Sequence, residues 1–192
     1  MLYINQLDNR HIRYEHNVEN GGVPEERRNV ATSGCGLCCM CMVVDHLTTQ
    51  QLTLAECVQL SYQTGANRMV GTRMFLLGPA AAERYGLEYH ATGDITKMLE
   101  HLRDGGEAII NVGGDHDDHI GLYSHSGHYI LALSYDGSEL CILDPSYREN
   151  KYEEEGRKGK VRVSFPFTYC VPEDIAADTQ NREIPYYLFK RK

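Results

Sequence analysis

From Leu37 to Leu47 the chain is apolar on nearly every side: Leu37, Met40, Met42, Val43, Val44 and Leu47, with cysteines between them. A helix that is apolar all round has no face to offer water and must be buried. Any fold for this chain therefore has to close around that segment. A chain of 192 residues is long enough to do so, and no internal repeat divides it. One domain spanning 1–192 is expected.

Punctuation along the chain sets the neighbours of this helix. Thr53 and Glu56 form a T-x-x-E capping box, with Gly65 at the stop position. "GTRMFLLGPAAAERYGL" predicts a third helix, capped near Thr72 and stopped at Gly86, with Pro79 as a kink or break. "GDITKMLEHLRDGG" predicts a fourth, with Asp94 as N-cap and Gly105 and Gly106 as the stop. After Gly106 the runs become short, β-branched and aromatic: "EAIINVGG", "HYILALSYD", "ELCILDPS", "KVRVSFPFTY" and "PYYLFKRK". In "FPFTY" the strand is interrupted by Pro166. Residues 1–28 are polar and irregular, and "ENGGVPEERR" reads as loop. Helices first and strands second indicate an α+β fold. A helical lobe at about 30–105 packs on an antiparallel sheet lobe at about 106–192.

Composition removes several function classes. The net charge is −8, and the one basic run of note is the terminal "KRK", so no nucleic-acid partner is expected. No apolar run reaches the ~18–20 residues of a membrane span. "MLYINQLDNRHIRYEHN" has no apolar core of a signal peptide, and a cytoplasmic location is the expectation. Seven cysteines is an odd number, and four of them crowd into "CGLCCMC". That argues against a secreted disulfide framework and for reduced thiols.

Among those thiols Cys35 is distinct. It lies between Gly34 and Gly36 at the entrance to the buried helix. Glycine neighbours allow a sharp turn and close approach of a substrate. A helix N-terminus favours thiolate, and its unpaired N–H groups can receive an oxyanion. Cys38, Cys39 and Cys41 lie within the helix and read as core residues. A zinc site or a C-x-x-C redox pair at 35 and 38 are the alternatives. The metal reading lacks a second C-x-x-C pair, and the redox reading lacks a βαβ context. A cysteine nucleophile needs a base, and the base an orienter. His128 opens the run "HYILALSYD" and Asp144 ends "ELCILD" after a turn at "YDGS", so one hairpin brings both to one rim of the sheet. Direct opposition on one face requires an odd turn, three residues at Tyr135–Gly137 or five at Ser134–Ser138. A two-residue turn at Asp136-Gly137 puts them on opposite faces.

"ATSGCGLCCMCMVVDHLT", "GHYILALSYDG" and "ILDPSYREN" together resemble the papain-like double-glycine leader (bacteriocin-processing) peptidases, in their stand-alone branch. "GTRMFLLGPAAAERYGLEYH" and "EAIINVG" resemble the region between that family's boxes, so the likeness covers roughly residues 25–150. It implies a papain-like fold, and a thiol acting on amide bonds of a peptide or protein substrate, with no cofactor and no metal. It also implies Cys35 as nucleophile, His128 as general base and acid, and Asp144 as orienter. Where the family often has glutamine as an oxyanion donor, six residues before the nucleophile, this chain has Asn29. Leu37-Cys38 stands where the family has Pro-Thr or Pro-Ala. An amidase or transpeptidase, or a silent peptide-binding module, keeps the same fold. The "DHDDH" of Asp115–His119 reads as a polar loop on the substrate side, with a metal cluster as its alternative. "YRENKYEEEGRKGK" reads as an exposed connection.

Overall fold

A computed structural model describes residues 1–15, 24–67 and 71–192 of the chain. Part of the loop expected at 19–28 falls on 16–23, outside the described residues; Glu25–Arg27 beyond it forms a 3-10 turn. Helices α1 (Val30–Ser33), α2 (Cys35–Leu47), α3 (Leu54–Thr64) and α4 (Met74–Tyr85) come first. Strand β1 (Leu87–Thr92) follows, then α5 (Ile95–Arg103). Next are β2 (Glu107–Val112), β3 (His128–Tyr135), β4 (Leu140–Leu143), β5 (Arg162–Ser164) and β6 (Phe167–Cys170). Helix α6 (Pro172–Asp178) and strand β7 (Tyr186–Arg191) complete the chain. The strands form one sheet in the order β1-β7-β2-β3-β4-β6-β5. The fold is α+β, as expected. The strict order of helices before strands is not kept, because β1 precedes α5 and α6 lies among the strands. Among the described residues no helix is long and apolar enough to cross a membrane.

Two compact units divide the chain, Met1–Tyr89 with Phe189–Lys192, and His90–Leu188. In the first, α2 is buried along its length, including Leu37, Met40, Val43, Val44 and Leu47. Each such side chain contributes roughly 1.5–3 kcal/mol by leaving water. Helix α3 packs against α2 and starts on the expected capping box: Thr53 accepts from the Glu56 N–H, and Glu56 accepts from the Thr53 N–H. Gly65 ends it in the left-handed conformation, φ 69°.

Helix α4 departs from expectation at both of its predicted irregularities. Its N-cap is Arg73, without a side-chain cap bond, and not Thr72. The Thr72 hydroxyl instead meets the buried Tyr14 hydroxyl at 3.0 Å, and Tyr14 also reaches Ser61 Oγ at 3.0 Å. Pro79 lies inside the helix and does not end it. The carbonyl that loses its N–H partner to Pro79 belongs to Phe75, an exposed residue of the first turn, where water can replace the bond.

In the second unit α5 packs on β2 and β3. It begins at Asp94, whose side chain accepts from the Thr96 N–H, and gives way at Gly105 with φ 79°. Met98, Leu102, Ile110, Ile130 and Ile142 form the centre of this core. Strand β2 pairs antiparallel with β3, β3 with β4, β4 with β6 and β6 with β5. The run "KVRVSFPFTY" is two strands, β5 and β6, turning at Phe165-Pro166.

Candidate active site

Cys35 is the first residue of α2 and is 8% exposed. Gly34 precedes it because nothing larger fits: a Cβ there would lie 2.7 Å from the Val30 carbonyl oxygen. Cys35 thus stands at a helix start, the positive end of the helix dipole. Cys38 and Cys41, one turn and more inside, are fully buried, and burial pushes both thiols well up from their ordinary value. The cysteines are free thiols, and among the described residues no group of three or more His, Cys, Asp or Glu side chains is arranged to hold a metal ion.

Asn29 caps α1. Its Oδ1 accepts from the Thr32 N–H at 3.2 Å, and its Nδ2 donates to the Glu26 carbonyl at 2.8 Å. The short side chain that suits an N-cap thus already holds the acceptor and one amide hydrogen.

His128 and Asp144 lie in the second unit and meet directly. His128 Nε2 is 2.8 Å from Asp144 Oδ1, with the two residues 5% and 0% exposed. The hairpin reaches this geometry by a route the sequence reading did not foresee. Tyr135 pairs with Leu140, so the turn is Asp136–Glu139, four residues and even. An even turn alone would place His128 and Asp144 on opposite faces. Ser134 pairs with Cys141 and Ala132 with Ile142, leaving Leu133 as an extra residue, a β-bulge. That one residue restores the parity. The turn itself is held by Asp136, which accepts from the Ser138 and Glu139 N–H groups; these bonds lower its carboxyl to about 2. Deleting Leu133 should therefore break the His128–Asp144 bond. The check is the downfield imidazole N–H proton signal of His128, expected to be lost; its survival would contradict the parity argument.

Three further residues bond Asp144, and none was expected. Ser146 donates its N–H to Oδ1 at 2.9 Å and its hydroxyl to the same oxygen at 3.1 Å. Lys151 Nζ donates to Oδ2 at 2.5 Å, and the Tyr152 hydroxyl to Oδ2 at 2.6 Å. Burial alone would raise the Asp144 carboxyl. The Lys151 ammonium, followed by the bond from His128, outweighs it and holds the carboxyl well below the usual range. "YRENKYEEEGRKGK" is thus not simply an exposed connection. Lys151, Tyr152 and Arg157 are all buried, and Arg157 Nε donates to the Gly121 carbonyl at 2.8 Å. The available signal was Tyr152, an aromatic residue inside a run of charges.

Residues Asp115–His119 bond both within their loop and to α6. Asp115 accepts from the Gly121 N–H and pairs with His125 Nδ1 at 2.9 Å. His119 Nε2 lies 2.8 Å from Oδ1 of the buried Asp178 in α6. Asp178 also accepts from the Leu122 N–H, fixing the segment that leads toward β3. Helix α6 was missed, although Pro172 at its start with Glu173 and Asp174 in the first turn is a readable signal.

No family model matches the chain, and no curated protein does. Among solved structures, the peptidase domain of Streptococcus ComA is similar at a TM-score of 0.51 and 16% identity; the match covers 84% of this chain and 93% of that one. ComA is described as a bifunctional ABC transporter involved in a quorum-sensing pathway. A Bacillus anthracis protein assigned as a C39-like peptidase is similar at a TM-score of 0.56 and 10% identity, over 83% of this chain and 90% of that one. At these identities the likeness concerns the fold: the chain has the α+β fold of C39 papain-like peptidase domains.

Proposed function

We propose that this protein is a cysteine peptidase in which Cys35, His128 and Asp144 form a catalytic triad. The observation that carries the reading is the buried His128–Asp144 pair on a fold shared with peptidase domains. Asp144 and Ser146 both lie against Nε2 of His128, at 2.8 and 3.0 Å. The Ser146 hydroxyl spends its hydrogen on Asp144, so at Nε2 it can only accept. Nε2 therefore carries the proton in the neutral imidazole, and Nδ1 is the basic atom.

The chemistry follows from that tautomer. Nδ1 takes the Cys35 thiol proton as Sγ bonds to the amide carbonyl carbon. The carbonyl electrons move to its oxygen, which the Cys35 N–H and the remaining Asn29 amide hydrogen receive. The C=O bond re-forms, the C–N bond breaks, and the leaving nitrogen takes the proton from His128. Water then gives a proton to Nδ1 and attacks the thioester; the C–S bond breaks and Sγ recovers its proton. The substrate is a peptide or protein.

The test is to trap the acyl-enzyme. The protein is mixed with a peptide library, quenched in acid and weighed intact. A substrate-derived mass on Cys35, absent in Cys35→Ala, supports the reading; no adduct and no cleavage across the library speaks against it. An added amine that appears in the product would show transfer in place of hydrolysis.

A further inference from the structure

Lysine is almost never fully buried unless paired. Lys151 is 4% exposed, in the 3-10 turn Lys151–Glu153 entered through Asn150 at φ 61°. Its ammonium sits on the far oxygen of the carboxylate that orients His128. It also donates to Ser146 Oγ at 2.7 Å, and that same oxygen is 3.0 Å from His128 Nε2. One serine hydroxyl thus stands between a buried cation and the imidazole.

A carboxylate stabilises a neighbouring imidazolium by its charge. Here a second cation already draws on that charge. We propose that Lys151 is a positioning residue of this site: its ammonium offsets part of the Asp144 charge, and so lowers the proton affinity of His128. The inference rests on the reading of His128 as the proton-transfer residue.

Other groups near Asp144 do not supply an equivalent charge. Tyr152 and Tyr123 are kept in the phenol form, chiefly by burial, with Asp144 adding to the effect. Cys170, against the Tyr123 hydroxyl, is pushed up to about 12 by burial. Arg148 and Arg157 act on Lys151, lowering its proton affinity alongside burial, while Asp144 opposes them. Near His128 itself, Arg182 Nη2 donates at 3.4 Å to the carbonyl of Val112, the residue paired with His128, and this charge is the same in every variant tested.

The sign of the effect is fixed. Removing the ammonium leaves the Asp144 charge to His128 alone, so His128 should gain its proton at higher pH. The experiment is an NMR titration of the His128 ring in the parent, Lys151→Met, Lys151→Arg and Tyr152→Phe. In Lys151→Met the midpoint should rise by about one pH unit or more, tenfold in proton affinity. Lys151→Arg keeps the charge and should stay near the parent. Tyr152→Phe removes a donor without charge and should move it far less. An unchanged midpoint in folded Lys151→Met, or an equal rise in Tyr152→Phe, overturns the proposal. If Lys151→Met does not fold, the parent decides: Lys151 Nζ must stay protonated throughout the range in which His128 titrates. A Lys151 that is neutral there overturns it. The titration needs no turnover, so its outcome is separate from that of the peptidase test.

Discussion

Asp144→Ala should lower stability by about 3–5 kcal/mol, among the largest effects of any single substitution in this chain. The carboxylate is fully buried and answers Lys151, Tyr152, Ser146 and His128 at once. Its removal leaves an ammonium in the core with no opposing charge. Lys151→Met should also destabilise, because it leaves the carboxylate without its cation. The double variant removes both charges and should be more stable than the two single losses add up to. Urea unfolding of the four proteins checks this; strictly additive losses would show that the two side chains do not act as a pair. Acid adds a second signature. The folded carboxyl lies well below its ordinary 3.8, so its contribution is complete above that value. It is lost as pH falls from there through the folded value. In Lys151→Met the folded value moves up toward 3.8, so the window narrows and less stability should be lost across it.

The other large effect is on turnover. Cys35→Ala should lower peptide hydrolysis by about 10⁴-fold or more, because the bond-forming atom is gone. Cys38→Ala and Cys41→Ala should keep the rate and lose stability, by roughly 1 kcal/mol each for the volume removed from a packed core. Their thiols are buried in α2 and pushed up by that burial, whereas Cys35 sits at the helix start. Rates on a peptide found by acyl-enzyme trapping, together with melting curves, separate the two roles. Loss of turnover on removing Cys38 with Cys35 intact would contradict this division.

Local signals made much of the molecule legible in sequence. The apolar run announced α2, Thr53 and Glu56 started α3, Asp94 started α5, and one hairpin carried His128 and Asp144 to the same place. What stayed hidden depends on partners distant in sequence or on register. Thr72 looked like a cap but bonds Tyr14, 58 residues away. Strand β1, by contrast, alternates Leu87, Tyr89 and Ala91 with Glu88, His90 and Thr92, a readable signal that was passed over between two helices. The bulge at Leu133 has no residue signature, since any residue can be left unpaired. Lys151 looked like one more surface charge, and only the fold places it on Asp144.

The central claim is that Cys35 is a working thiol served by His128. The most direct test is the iodoacetamide labelling rate of each cysteine against pH, read by mass spectrometry in the parent and in His128→Ala. The account predicts fast labelling of Cys35 below pH 7 that slows in the variant, with Cys38 and Cys41 unlabelled until the protein unfolds. Labelling of Cys35 no faster than a free thiol, and unchanged without His128, would contradict it.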